Sequence, residues 1–326
     1  MLIIDEIHVS GADQMSQVFE KVRYKLILGL TATFERLDGK HALISKHCPI
    51  IDTVSTIEAL ANSWISEYKE YQVLIEVDDI EEYKSLQREW LQHFEFFEFD
   101  FNLAMKMCGS EGWKAKLAYR DKLYNGNDEY KKKEILQSIN YHSAGFMRTM
   151  TKRKAFINNH PKKIEIAKKI MEARPNAKII TFSNNVKMAE ALENGEYVYT
   201  GKTSKKRASD MIEKYLSGQI KHLHSCKKLI EGFNDPSTNV AIILGMDSSE
   251  RRAIQTRGRV VRKTTSSKQA EIFNIVIRNS QEEKWYKDSH KNSNYITIDE
   301  KGLEQVLKGE QPDIFKPKLG EIMFRF

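Results

Sequence analysis

The sequence predicts an α/β protein organised on parallel sheet, and three observations point there. Between residue 161 and about residue 290, strand-like runs alternate with amphipathic helical patterns, as they do when helices cross between parallel strands. The chain also opens on three apolar, strand-favouring residues, Leu2-Ile3-Ile4, that run directly into Asp5-Glu6-Ile7-His8. Finally, a second apolar run at 24–30 ends in Thr31-Ala32-Thr33. In open α/β sheets, ligands bind beyond the carboxyl ends of strands. Both runs therefore deliver polar side chains where a site would form.

Taken in order, residues 1 to 77 read as strand, helix, strand, loop and strand, the third strand being 71–77. Three strands are few for a doubly wound sheet, so this unit is expected to be the second half of a larger domain. Residues 78 to 160 are helical in pattern. Ile80, Tyr83, Leu86, Trp90, Leu91, Phe94 and Phe97 recur mostly at spacings of three and four, the signature of a buried helix stripe. The aromatic run 94–101 is read as core, because its interleaved acids would repel phosphate. Pro161 then suits a first helical position, and strands are expected at 178–182, 197–200, 220–224, 240–244 and 272–277. Ser204 can cap the helix that ends at Gly218. A short strand at 295–298, a short helix and a tail close the chain.

Charge is spread unevenly. Residues 113 to 169 hold 15 Lys/Arg against 5 Asp/Glu, whereas residues 78 to 100 hold 2 against 8. The basic block favours a polyanionic partner, with Lys131, Lys132, Lys133, Lys152, Arg153 and Lys154 as backbone contacts. No apolar run approaches the ~20 residues of a membrane helix. Cys48, Cys108 and Cys226 form no C-x-x-C pair, as expected of reduced thiols in a cytoplasmic protein.

Adjacent acids at a strand's carboxyl end suit an ATPase, one holding Mg²⁺ and the other orienting the attacking water. In the second unit, Ser183-Asn184-Asn185 ends a strand with small polar groups. A helical pattern breaks at Gly232 and Pro236. If 255–262 is helical, Gln255, Arg259 and Arg262 fall on one face, as arginines serving a γ-phosphate must. Thr200-Gly201-Lys202-Thr203 imitates the end of a phosphate loop, but Glu196 stands where that loop needs glycine. No segment of the 326 residues fits a P-loop.

This set resembles superfamily 2 helicases and translocases, in the branch of XPB-type and phage DNA helicases. Asp5-Glu6-Ile7-His8 resembles the family's motif II, a DEAH-like box, and the stretch from Gly29 to Gly39 its motif III neighbourhood. Residues 179–184, 231–236 and 255–262 resemble motifs IV, V and VI, and the likeness covers roughly 1–77 and 165–280. It implies RecA-like lobes: a partial first lobe (1–77), a helical, basic insertion (78–160), a complete second lobe (161–290) and an extension (291–326). It further implies ATP and Mg²⁺ as cofactors, with Asp5 for the metal, Glu6 for the water, and His8, Thr31 and Thr33 for coupling. Gln255, Arg259 and Arg262 would reach the nucleotide, with Gly232 and Asn234 beside it. Ser183, Gly201 and Ser225 would lie along nucleic acid. DNA is the partner this branch implies, with RNA left open. Phe34 replaces a usual proline and Asn234 a usual aspartate. Motif I is missing, so a separate amino-terminal chain supplying the P-loop is a further expected partner. Alternatives are a non-catalytic nucleic-acid-binding module and the motor of a restriction enzyme.

Overall fold

The structure, a computed structural model, describes residues 1–34, 39–193, 197–226, 235, 237–245, 254, 258, 269–291 and 293–315. Among the described residues the strands form two sheets, and every strand pairing is parallel. The first sheet has two strands, β1 (Leu2–Asp5) and β2 (Ile27–Leu30). Between them run two short 3₁₀ turns and α1 (Val18–Lys21); α2 (His41–His47) and α3 (Thr56–Ala61) follow. Ile7, Phe19 and Ile44 make a small core against Ile4 and Ile27.

The strand foreseen at 71–77 exists as β3 (Tyr68–Ile75), but it does not join β1 and β2. It pairs along its whole length with β8 (Ala270–Ile277), from Tyr68 opposite Ala270 to Ile75 opposite Ile277. The physical reason is its composition. Tyr71, Val73, Leu74 and Ile75 are all buried, so the strand needs cover on both faces. A two-stranded sheet cannot provide that. The expected end of the first lobe at residue 77 therefore moves to before Tyr68.

Four helices leave β3 and return: α4 (Ile80–Glu95), α5 (Phe101–Cys108), α6 (Gly112–Leu123) and α7 (Glu129–Asn159). They have their own core, including Phe94, Phe97, Met107, Tyr119, Ile139 and Phe146. This bears out the core reading of the aromatic run for Phe94 and Phe97, with Phe96 packed against them, but not for Phe99 and Phe101, which are exposed. Asp100 and Asp128 cap α5 and α7 by accepting from backbone N–H groups. His160 ends α7 and caps α8 (Pro161–Ala173), its Nδ1 accepting from the Lys162 N–H. Its Nε2 must then carry the proton, which it donates to Asp79 at 2.9 Å. That bond clasps the two ends of the insertion together.

The second sheet continues with β4 (Ile179–Ser183), α9 (Val186–Glu190), β5 (Val198–Tyr199), α10 (Lys205–Leu216), β6 (His222–Cys226) and β7 (Val240–Ile243). After β8 come α11 (Gln281–Ser289), β9 (Ile296–Ile298) and α12 (Glu300–Leu307). Strand order is β5-β6-β4-β7-β8-β3-β9. The segment expected to be an extension thus supplies an edge strand of this sheet, β9 pairing with β3. Ser204 caps α10, and Gly218 follows it at φ +77°, a conformation glycine adopts without a Cβ penalty.

Candidate functional site

The chain brings Asp5, Glu6, His8, Thr31 and Thr33 together at the carboxyl edge of β1 and β2. Asp5 lies opposite Leu30, so Thr31 leaves the sheet beside the acids. Glu6 is left-handed, at φ 51° and ψ 46°, a conformation that costs a non-glycine residue about 1–2 kcal/mol. It turns the chain from β1 into the 3₁₀ turn Ile7–Gly11, and its N–H donates to Asp5 Oδ1 at 3.0 Å. Gly29 makes the sharp turn possible, since a Cβ there would lie 2.3 Å from Ile7 Cδ1.

His8 is buried, with Nδ1 2.9 Å from Thr31 Oγ1 and 3.2 Å from Glu6 Oε2. Its tautomer follows from the neighbours. The Thr31 hydroxyl gives its proton to Thr33 O at 2.9 Å, and Thr31 Oγ1 accepts from Thr33 N–H at 3.2 Å. Thr31 can then only accept from His8, so the imidazole proton is on Nδ1 and is donated to Thr31 Oγ1, with Glu6 Oε2 near the same nitrogen but not hydrogen-bonded to it. A single imidazole thus joins the second acid to the turn after β2. Asp5 is exposed and offers a hard oxygen ligand. Among the described residues, no group of three or more His, Cys, Asp or Glu is placed to enclose a metal ion.

Three further candidates meet at the carboxyl edge of the second sheet. Ser183 ends β4, Ser225 lies opposite Phe182, and Tyr199 of β5 lies opposite Ser225, with Gly201 two residues on. Ser183 Oγ donates to Asn185 O at 2.9 Å, and Asn185 caps α9. The decoy loop is a closed turn. Thr203 N–H donates to Thr200 O, Thr200 N–H to Thr203 Oγ1 and Lys202 N–H to Thr200 Oγ1, leaving little amide to cradle a phosphate. A Cβ on Gly201 would meet nothing within 4 Å, so the fold itself does not demand glycine there.

Other expectations fare differently. Arg153 is not a surface contact: it is buried, with its guanidinium 4.4 Å from the Trp90 ring centroid and Nη2 3.5 Å from Tyr83 Oη. Its place on the inward face of α7 removes it from the basic surface. Lys152 and Lys154 remain exposed, as do Lys131 and Lys133, while Lys132 pairs with Glu129 at 2.9 Å. Gly232, Asn234, Gln255, Arg259 and Arg262 lie outside the described residues. Asp235, beside them in sequence, is a structural anchor. Burial opposes its ionisation, but hydrogen bonds from Lys178 and Ser237 outweigh that and hold its carboxyl below the usual range.

Sequence reasoning also missed Lys163 and Glu282, which sit at the carboxyl ends of β7 and β8. Lys163 Nζ donates to Glu282 Oε1 at 2.6 Å and to Leu244 O at 2.9 Å, and Glu282 Oε2 accepts from Ile277 N–H at 3.0 Å. Both are fully buried, which pushes the lysine pKa down and the glutamate pKa up. No sequence signal marks them, since each lies among other charged residues on its helix.

Parallel sheet with helical crossovers and polar groups at its carboxyl edges defines an α/β fold of RecA-like helicase type. It resembles yeast (S. cerevisiae) Dbp5 bound to RNA and ADP BeF3, with TM-score 0.54 and 12% identity, over 94% of this chain and 61% of that one. Two families match in sequence: the helicase conserved C-terminal domain over residues 162–264, and the type III restriction enzyme, res subunit, over residues 1–36. A curated relative, the DNA 3'-5' translocase XPB2 of Sulfurisphaera tokodaii, is 27% identical over 287 residues, 85% of this chain. The chain spans 58% of that relative's length. Together these findings make the chain similar to helicases at its amino-terminal residues and over its second sheet. Among the described residues, no helix is long and apolar enough to cross a membrane.

Proposed function

We propose that the chain is the carboxyl-terminal portion of an ATP-dependent DNA translocase or helicase of the XPB-type branch. The observation that carries this reading is the Glu6–His8–Thr31 contact. It ties an acid able to orient water to the turn after β2, the kind of link through which hydrolysis can drive movement. Asp5 would hold Mg²⁺, which when bound screens phosphate charge, and Glu6 would orient the attacking water. Gln255, Arg259 and Arg262 would supply charge to the γ-phosphate, beside Gly232 and Asn234. Ser183, Gly201 and Ser225 would follow the nucleic-acid backbone, and Lys131, Lys133, Lys152 and Lys154 would add charge from the insertion.

The phosphates would be held by a segment outside these 326 residues, because no P-loop lies within them. An incomplete first lobe fits this reading. Ile3, Asp5, Leu28 and Leu30 share one face of the two-stranded sheet, and there Ile3 is 56% and Leu30 50% exposed. Positioning supplies most of phosphoryl-transfer catalysis. Residues 1–326 alone should therefore release no significant phosphate from ATP. Fusing or adding an amino-terminal P-loop segment should restore DNA-stimulated turnover, and Glu6→Gln should abolish it while nucleotide still binds. Robust turnover by the chain alone, lost in Glu6→Gln, would overturn the incomplete-motor reading. DNA-independent inactivity of the completed protein would favour a non-catalytic binding module.

A further inference from the structure

The hairpin of α6 and α7 presents aromatic rings to solvent within a basic stretch. Residues 112 to 133 hold seven Lys/Arg against three Asp/Glu. Trp113 is 61%, Tyr130 80% and Tyr141 65% exposed, while Tyr119 of α6 and Phe146 of α7 are buried. The insertion thus buries some aromatic rings in its core and leaves these three, with Phe99 and Phe101, outside. Lys116 Nζ donates to Asn140 Oδ1 at 2.9 Å, which holds the two helices in register one residue from Tyr141 and three from Trp113. Lys114 Nζ lies 5.6 Å from the Trp113 ring centroid, and Lys131 Nζ lies 4.6 Å from that of Tyr124. A cation thus lies beside the exposed Trp113 ring and another beside the half-buried Tyr124 ring.

We infer that this hairpin is a base-stacking platform for single-stranded nucleic acid, with Trp113 and Tyr141 as its rings. The inference rests on the nucleic-acid reading above and adds the form of the substrate. A duplex offers phosphates to lysines, but its base faces are already stacked. An unpaired strand offers both, and stacking tolerates any base because every base has a π face. The surrounding lysines favour this polyanion over an apolar protein partner.

The test uses the whole chain with (dT)20 and a 20-base-pair duplex. Single strand should quench tryptophan fluorescence, and Trp113→Ala should remove that quench. Trp113→Ala and Tyr141→Ala should each weaken single-strand binding about tenfold while leaving duplex affinity and the salt slope unchanged. Trp113 is exposed and outside the core, whereas Tyr141 also meets the His93 and His142 rings edge-on, so unaltered circular dichroism and melting of both variants are required for the comparison. Single-strand affinity unchanged in both variants, with duplex still bound, overturns the stacking inference alone. No binding of either probe overturns the nucleic-acid reading with it.

Discussion

Lys163 and Glu282 are buried together, and each spends a hydrogen bond on a strand end. Two charges out of water are tolerable only as a pair, so removing one leaves the other uncompensated. Lys163→Ala should cost about 3–5 kcal/mol, read as a lowered denaturation midpoint. Lys163→Met combined with Glu282→Leu should recover part of it, because no charge is left alone, while Leu244 O and Ile277 N–H lose their partners. A single variant as stable as the parent would mean the pair contributes nothing. At this scale the sequence was readable only in part. Asp5, Glu6, His8, Thr31 and Thr33 announce themselves, since unlike chemistries converge at strand ends. Arg153 could not be assigned, because the sequence does not show which member of a basic triplet turns inward. On α7 Arg153 does, whereas none of Lys131, Lys132 and Lys133 is buried, and the phase is fixed by partners distant in sequence.

The elements of the insertion make a different point. His93 of α4 and His142 of α7 face each other with Nδ1 atoms 3.3 Å apart, and Gly145 leaves room for the His93 ring. Burial pushes the pKa of both below the ordinary 6.5, and their mutual repulsion lowers His142 further. Glu89 opposes the shift at His93, and Arg148 adds to it. The folded state therefore favours their neutral forms. The unfolded chain takes up protons first as pH falls through 6.5, so stability is complete above that pH and declines below it. Urea midpoints followed through Trp90, which packs on Phe94 and Phe146, should fall between pH 7.5 and pH 5.5. His93→Asn should flatten that dependence, and an equally steep fall in the variant would assign it elsewhere. Helices and strands were legible from periodicity and caps, Pro161, Ser204 and Gly218 among them. Partnership was not. β3 has the same apolar pattern whichever sheet receives it, and only its burial on both faces decides.

For the whole molecule, the consequence is a different domain. The second sheet is not a unit of residues 161–290, because β3 precedes the insertion and β9 follows α11. Cutting both away exposes the full edge of β8 and the core that Tyr71, Val73, Leu74 and Ile75 complete. Burial of side chains of this size contributes about 1.5–3 kcal/mol each. Four of them approach the whole margin of an ordinary domain, about 5–15 kcal/mol. The buried network of Glu70 would go too. Its Oε1 accepts from Asn274 Nδ2 at 3.2 Å and lies 3.0 Å from His290 Nε2, so losing β3 leaves Asn274 and His290 without that carboxylate. A fragment of residues 64–315 should thus unfold in one cooperative urea transition, with the insertion attached through the Asp79–His160 clasp. A fragment of residues 161–290 should aggregate or melt without cooperativity, and one of residues 1–63 should not fold, having two strands and one small core. If the shorter central fragment matches the longer one in midpoint and slope, β3 and β9 are ornaments of this sheet rather than parts of it.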